Sequence, residues 1–168
     1  MVEIKTKNPE KVIQGRKNKQ AGALWERKVR ADLEKNWIVC KWHNNVELPK
    51  RKLNSEEDFE EYPISELSGK LIPAKRKYNP FKRAYSIGTG FPDFIAYKMN
   101  NWFEGEPRIE YEVIGVEAKS NGYLDKQERE KCKWLLENKI FSKILIAKKK
   151  KEGRKVVVEY IDFQTKYE

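Results

Sequence analysis

Between residues 20 and 35 the apolar side chains Ala21, Trp25, Val29 and Leu33 return every fourth position. That spacing makes one stripe along a helix, so it predicts an amphipathic helix there. Residues 1–19 show no such period and carry many lysines, which predicts a mobile basic arm ahead of a single domain over 20–168. The run Trp37-Ile38-Val39-Cys40-Lys41-Trp42 is short, aromatic and β-branched, and predicts a first strand. Residues 91–99 and 109–120 predict two longer strands, and the polar NNWFEGEP between them favours an antiparallel hairpin. Residues 125–138 predict a second helix. Asp125 can cap it, Glu128 three positions on completes a capping box, and Leu124, Cys132 and Leu135 line one face. Residues 142–147 and 155–163 predict two final strands around a lysine-rich turn.

The segment from about 44 to 88 is the least regular part of the chain. It holds the acidic run SEEDFEE, then Pro63, Pro73 and Pro80, and a basic stretch over 75–83. So long an irregular segment inside a compact domain is expected to be functional or locally structured. It reads as an insertion carrying substrate contacts. The order helix, strand, hairpin, helix, strand, strand predicts an α/β fold with a mixed central sheet flanked by helices.

Composition narrows the class. The chain has 168 residues, 39% of them hydrophobic and 37% charged, with net charge +10. One domain with a real core is expected. No run of eighteen apolar residues occurs and the N-terminus is lysine-rich, so neither a membrane nor a secretory segment is expected, and the expected address is intracellular, cytoplasm or nucleoid. Residues 1–30 contain nine Lys or Arg against three acids, and further basic runs lie at 75–83 and 148–155. Clustered positive charge points to nucleic acid, with a generic basic surface as the plainer alternative. The expected contacts are Arg16, Lys17, Lys19, Lys75, Arg76, Lys77, Lys82 and Arg83. Cys40, Cys132 and His43 are too few for a structural zinc site, so any metal should be bound through oxygen.

Charged residues inside strand-like stretches then need an explanation, because burying charge is costly unless it is compensated. Asp93 begins the first hairpin strand, while Glu117 and Lys119 sit two apart in the second and so share a face. Antiparallel pairing brings Asp93 beside them. Two carboxylates with an ammonium alongside suit Mg²⁺ or Mn²⁺, and a neighbouring lysine could orient or deprotonate water or stabilise charge on phosphorus. The alternative is a cross-strand salt bridge among surface residues.

Gly90-Phe91-Pro92-Asp93-Phe94-Ile95-Ala96, then Val116-Glu117-Ala118-Lys119, then Gly122-Tyr123-Leu124 and Gln127 resemble the PD-(D/E)XK nuclease superfamily. Within it the chain looks most like the virus-type replication and repair nuclease modules and the archaeal Holliday junction resolvases, over roughly residues 20–45 and 88–148. The resemblance implies a restriction-endonuclease-like core, with Asp93, Glu117 and the Ala118 carbonyl as metal ligands and Lys119 as the catalytic lysine. It also implies that Gln127 reaches toward the site and that Glu26 is a matching acid on the first helix, where Glu26, Val29 and Leu33 fall at i, i+3 and i+7. Asn44 and Asn45 stand where the resolvases carry a serine-containing loop, closer to the viral-type pattern, and are expected to touch nucleic acid. The implied function is a Mg²⁺- or Mn²⁺-dependent DNA endonuclease acting on branched or structured DNA, in repair or recombination, as a homodimer. A sequence-specific restriction or homing nuclease and a non-catalytic nucleic-acid-binding module are the alternatives.

Overall fold

The structure, a computed structural model, describes residues 9–48, 69–79, 83–87, 90–100 and 110–167. In chain order its elements are α1 (Pro9–Leu33), β1 (Ile38–Lys41), β2 (Asn44–Glu47), β3 (Lys70–Pro73), β4 (Arg76–Asn79), β5 (Ala84–Ile87), β6 (Phe94–Asn100), β7 (Glu110–Ala118), α2 (Lys126–Glu137), β8 (Lys143–Glu152), β9 (Lys155–Asp162) and α3 (Phe163–Tyr167).

Helix α1 begins at Pro9, well before the periodic stretch, so residues 9–19 of the expected basic arm are helical although their sequence shows no period. Pro9 suits a first helical position and Glu10 complements the dipole in the first turn. The Lys, Arg and Gln residues that follow have high helix propensity and need no apolar stripe to stay helical at the surface. Gln14 also donates to Asn18 one turn later at 2.9 Å. Of the predicted stripe, Trp25, Val29 and Leu33 are buried while Ala21 is exposed.

Five strands form one mixed sheet in the order β1-β6-β7-β8-β9. The predicted hairpin is present: β6 and β7 pair antiparallel with Phe94 opposite Val116. β7 and β8 are parallel, joined by the crossover through α2, and β8 and β9 are antiparallel. The lysines at 148–151 lie within β8, not in a turn, because they pair with the β-branched run of β9 down to Glu152 opposite Lys155. The turn is left to Gly153, at φ 60, and Arg154.

Helices cover both faces of the sheet. On one, Trp25, Val29 and Leu33 of α1 pack on Val39, Phe94, Ala96, Ile114, Val116 and Ala147. On the other, Cys132, Trp134 and Leu135 of α2 and Phe163 of α3 pack on Phe141, Ile144 and Ile146. Side chains alternate along β7: Ile114 and Val116 face α1, whereas Val113 and Gly115 face the α2 layer. Burying each large aliphatic side chain contributes roughly 1.5–3 kcal/mol, so these two clusters hold the central strands rigidly. Two small antiparallel ribbons, β2–β3 and β4–β5, occupy the described parts of the insertion. The acidic run over 55–61, Lys82, and Trp102 and Phe103 of the β6–β7 connection lie outside the described residues. Among the described residues no helix is long and apolar enough to cross a membrane.

Candidate active site

Two glycines let the chain bend into the site. At Gly90 an added Cβ would lie 2.5 Å from the Asn44 carbonyl oxygen, so only glycine allows this approach to β2. The Phe91 N–H then donates to the same oxygen at 2.8 Å. At Gly115 an added Cβ would lie 2.8 Å from Pro92 Cγ, so the bare backbone of β7 provides the slot in which Pro92 sits. Asp93 follows directly and is fixed from several sides. Its carbonyl accepts from the Trp42 N–H at 3.0 Å, its own N–H donates to Glu117 Oε2 at 3.1 Å, and its Oδ2 accepts from the Ala118 N–H at 3.1 Å.

Asp93 and Glu117 are therefore neighbours at the end of β7, and they are the buried charged residues among the described residues, 8% and 6% exposed. Burial, followed by the adjacent Asp93 charge, pushes the Glu117 carboxyl up to about 8 from 4.5. A buried acid pair of this kind is poorly compensated as it stands.

Two lysines supply part of the compensation. Lys41, on β1, donates to Glu26 Oε2 at 2.7 Å and to Asp93 Oδ1 at 3.1 Å, and its ammonium lies 4.7 Å from the Phe94 ring centroid. Lys119 lies 3.5 Å from Glu117 Oε1 and donates to Glu128 Oε1. Burial works against both ammonium charges. The hydrogen bond from Lys41 to Glu26 and that from Lys119 to Glu128, with the nearby carboxylate charges, outweigh it and raise both lysines above their ordinary value. Lys119 is thus held as an ammonium, suited to stabilising negative charge and not to abstracting a proton.

The chain Glu26–Lys41–Asp93–Glu117–Lys119–Glu128 contains four carboxylates and two ammoniums. When all are ionised it has two negative charges in excess, which one divalent cation would balance. Among the described residues no three acidic, histidine or cysteine side chains gather as a ready-made metal cage. Lys41 and Lys119 hold the two outer carboxylates, Glu26 and Glu128, so Asp93 and Glu117 are the side chains that could hold such an ion. Cys132 is buried beneath the site, and burial together with Glu117 raises its thiol far above its ordinary value, so it is no nucleophile.

Of the residues expected from sequence, Asp93, Glu117, Ala118, Lys119 and Glu26 come together. Gln127 does not join them: it is exposed on the first turn of α2 and makes no hydrogen bond to the site. Its neighbour Glu128 does, while also closing the capping box through the Asp125 N–H at 3.0 Å and its own N–H to Asp125 Oδ1 at 2.8 Å. Glu128 was visible in the sequence as a cap but not as the partner of Lys119. Lys41 carried no local signal.

The expected nucleic-acid contacts fall on several elements. Arg16, Lys17 and Lys19 are exposed on α1. Asn44 and Asn45 are half-buried in β2, where Asn45 Oδ1 accepts from the Val46 N–H at 2.8 Å. Lys75 is exposed just after Ala74, whose N–H donates to the His43 carbonyl at 2.7 Å, so this part of the insertion lies beside the start of β2. Arg76 and Lys77 lie in β4, and Arg83 is exposed in the turn before β5. Comparison with family models, with curated proteins and with solved structures finds no match to this chain.

Proposed function

We propose that this chain is a divalent-metal-dependent endonuclease that hydrolyses phosphodiester bonds in DNA, with branched or structured duplexes as its preferred substrates. The observation that carries this is the pair of neighbouring buried carboxylates, Asp93 and Glu117, at a sheet edge beside a charged lysine. Structural ion pairs gain little from such burial, whereas a hydrolytic site needs acidic oxygens held apart from bulk water. Asp93, Glu117 and the Ala118 carbonyl would hold Mg²⁺ or Mn²⁺. When bound, the ion supplies Lewis-acid polarisation of a phosphoryl oxygen and an activated water.

The chain's own groups do the rest. Lys119, fixed by Glu128, would sit against the reacting phosphate and stabilise the charge on its oxygens. Lys41 ties Glu26 to Asp93 and so sets the orientation of the Asp93 carboxylate. Net charge of +10 would steer and hold the polyanion through its phosphates, without reading bases. Symmetric cutting of a branched substrate suits a two-fold dimer, and the proposal extends to a homodimer on DNA.

A gel assay tests it, with supercoiled plasmid, linear duplex, single strand, flap and four-way junction, each with Mg²⁺, Mn²⁺ or chelator. The expected result is metal-dependent cleavage that is faster on flap or junction than on linear duplex. No metal-stimulated nicking on any of these forms would refute it and favour a non-catalytic binding module.

A further inference from the structure

The register of the sheet sends one hairpin past the candidate active site. Ala118 of β7 pairs with Ala147 of β8, and the two strands are parallel, so β8 leaves the last β7 pair in the direction of Lys119. It continues through Lys148 to Glu152, paired all the way with β9. At ~3.4 Å per residue that is an overhang of about 17 Å beyond the last β7 pair. Ser120 is tied to it, since the Lys149 N–H donates to the Ser120 carbonyl at 3.1 Å.

Helix α1 packs on this hairpin. Asp32 accepts from the Tyr160 hydroxyl at 3.0 Å, Lys28 donates to the Val156 carbonyl, and the Trp25 indole N–H donates to the Ala147 carbonyl at 3.3 Å. The helix then continues back to Pro9, and the stretch ahead of Trp25 is about 24 Å long at ~1.5 Å per residue. Lys17 lies three turns before Lys28 on the same flank, with exposed Leu24 between them.

The two faces of the hairpin differ in charge. On the α2 side Lys148 pairs with Glu159 at 2.7 Å, and Lys150 lies 3.4 Å from Glu152 and 3.7 Å from Glu159. On the α1 side, where Ala147 faces Trp25, the next side chains in phase are Lys149 and Lys151. Neither has an ion-pair partner among the described residues. The Lys149 ammonium is steered by the Trp25 ring, 5.4 Å from its centroid. Lysines that only kept the hairpin soluble would have no reason to be neutralised on one side and left uncompensated on the side facing a second basic arm.

We propose that the α1-facing side of the β8–β9 hairpin and the adjoining Lys28 flank of α1 form one basic surface for the sugar–phosphate backbone of duplex DNA. Lys149, Lys151, Lys28 and Lys17 are its phosphate contacts. This rests on the hydrolase proposal only in its choice of DNA as the polyanion. The partner is recognised by charge and shape, so binding is insensitive to base sequence and steeply salt-dependent.

The test is fluorescence anisotropy of a labelled duplex of random sequence with the full chain in EDTA, over a range of salt, so that no cleavage enters. The double variant Lys149→Glu/Lys151→Glu should bind at least tenfold more weakly, and Lys149→Ala/Lys151→Ala should flatten the log–log salt slope by about 2. The matched Lys148→Ala/Lys150→Ala variant, on the neutralised side, should change affinity less than threefold. Thermal melting of each variant checks folding. Equal weakening by the two alanine pairs, or none by Lys149→Ala/Lys151→Ala, overturns this surface. So does a wild-type chain that binds phosphatidylserine vesicles but no duplex. Duplex binding with this lysine pattern but no cleavage in metal would leave the surface standing and remove the hydrolase. Cleavage with an indifferent hairpin would do the reverse.

Discussion

Glu117→Gln replaces the more deeply buried carboxylate with a neutral group of the same shape. The amide oxygen can still accept the Asp93 N–H, so packing and the hydrogen bond are preserved and only the charge is removed. In the wild type, burial and Asp93 raise the Glu117 carboxyl from 4.5 to about 8. An acid whose folded value lies above its unfolded value stabilises the fold while protonated. That stability is fully present below pH 4.5 and is lost as pH rises through about 8. At ~1.4 kcal/mol per pH unit over that window, the loss amounts to roughly 5 kcal/mol as an upper bound, and sharing of the proton with Asp93 reduces it. Urea denaturation in EDTA between pH 4.5 and 8.5 measures it directly. The wild type should lose several kcal/mol across the window, while Glu117→Gln should change much less and be the more stable protein at pH 8.5. Excess Mg²⁺ or Mn²⁺ at pH 8.5 should restore the wild type by about 2.7 kcal/mol at a hundred times its Kd, with a smaller gain for the variant. Parallel pH profiles for the two proteins, or a Glu117→Gln protein less stable than wild type at pH 8.5, would refute the claim of an uncompensated buried acid pair.

Three other outcomes follow from the same geometry. Lys119→Ala should abolish cleavage by at least a hundredfold while leaving duplex affinity in EDTA within about threefold, since it removes a charge at the reacting centre and not a track of phosphate contacts; normal cutting by this variant would displace the site. Gly115→Ala drives a methyl group to 2.8 Å from Pro92 Cγ and should cost about 1–3 kcal/mol in urea and weaken metal binding by shifting Asp93. Gly22→Ala sits in an exposed stretch of α1 with nothing within 4 Å of the new Cβ, so it should stabilise the protein by about 0.5–1 kcal/mol in thermal or urea melts.

The parts of the fold that could be read from sequence were those with a local signature. Asp125 and Glu128 lie three apart and announce a helix start by themselves, and the structure has both halves of that capping box. The alternation of Val113 to Lys119 fixed which side chains share a face, and antiparallel pairing with the Pro92-Asp93 stretch followed from the polar connection. What escaped was contact between distant segments. Lys41 sits fifteen positions from Glu26 and fifty-two from Asp93, and only the β1–β6 pairing brings it between them. Glu128 has a sufficient local role as a cap, so nothing in the sequence signals its second contact with Lys119. Residues 10–19 are almost all exposed, and a helix turn that buries no stripe has no apolar period to show. The lysines of β8 looked like a turn because their strand character comes from the partner, Val156 to Glu159 of β9, and not from themselves.

Calorimetric titration of the metal-free chain with Mn²⁺ decides whether Asp93 and Glu117 form one cation-binding pair. Wild type should show a single saturable site with proton release near pH 7.5, because Glu117 must ionise to bind. Asp93→Asn and Glu117→Gln, folded by melting, should each lose that site. Mn²⁺ binding that persists unchanged in both variants, or its absence in the wild type, would contradict the account.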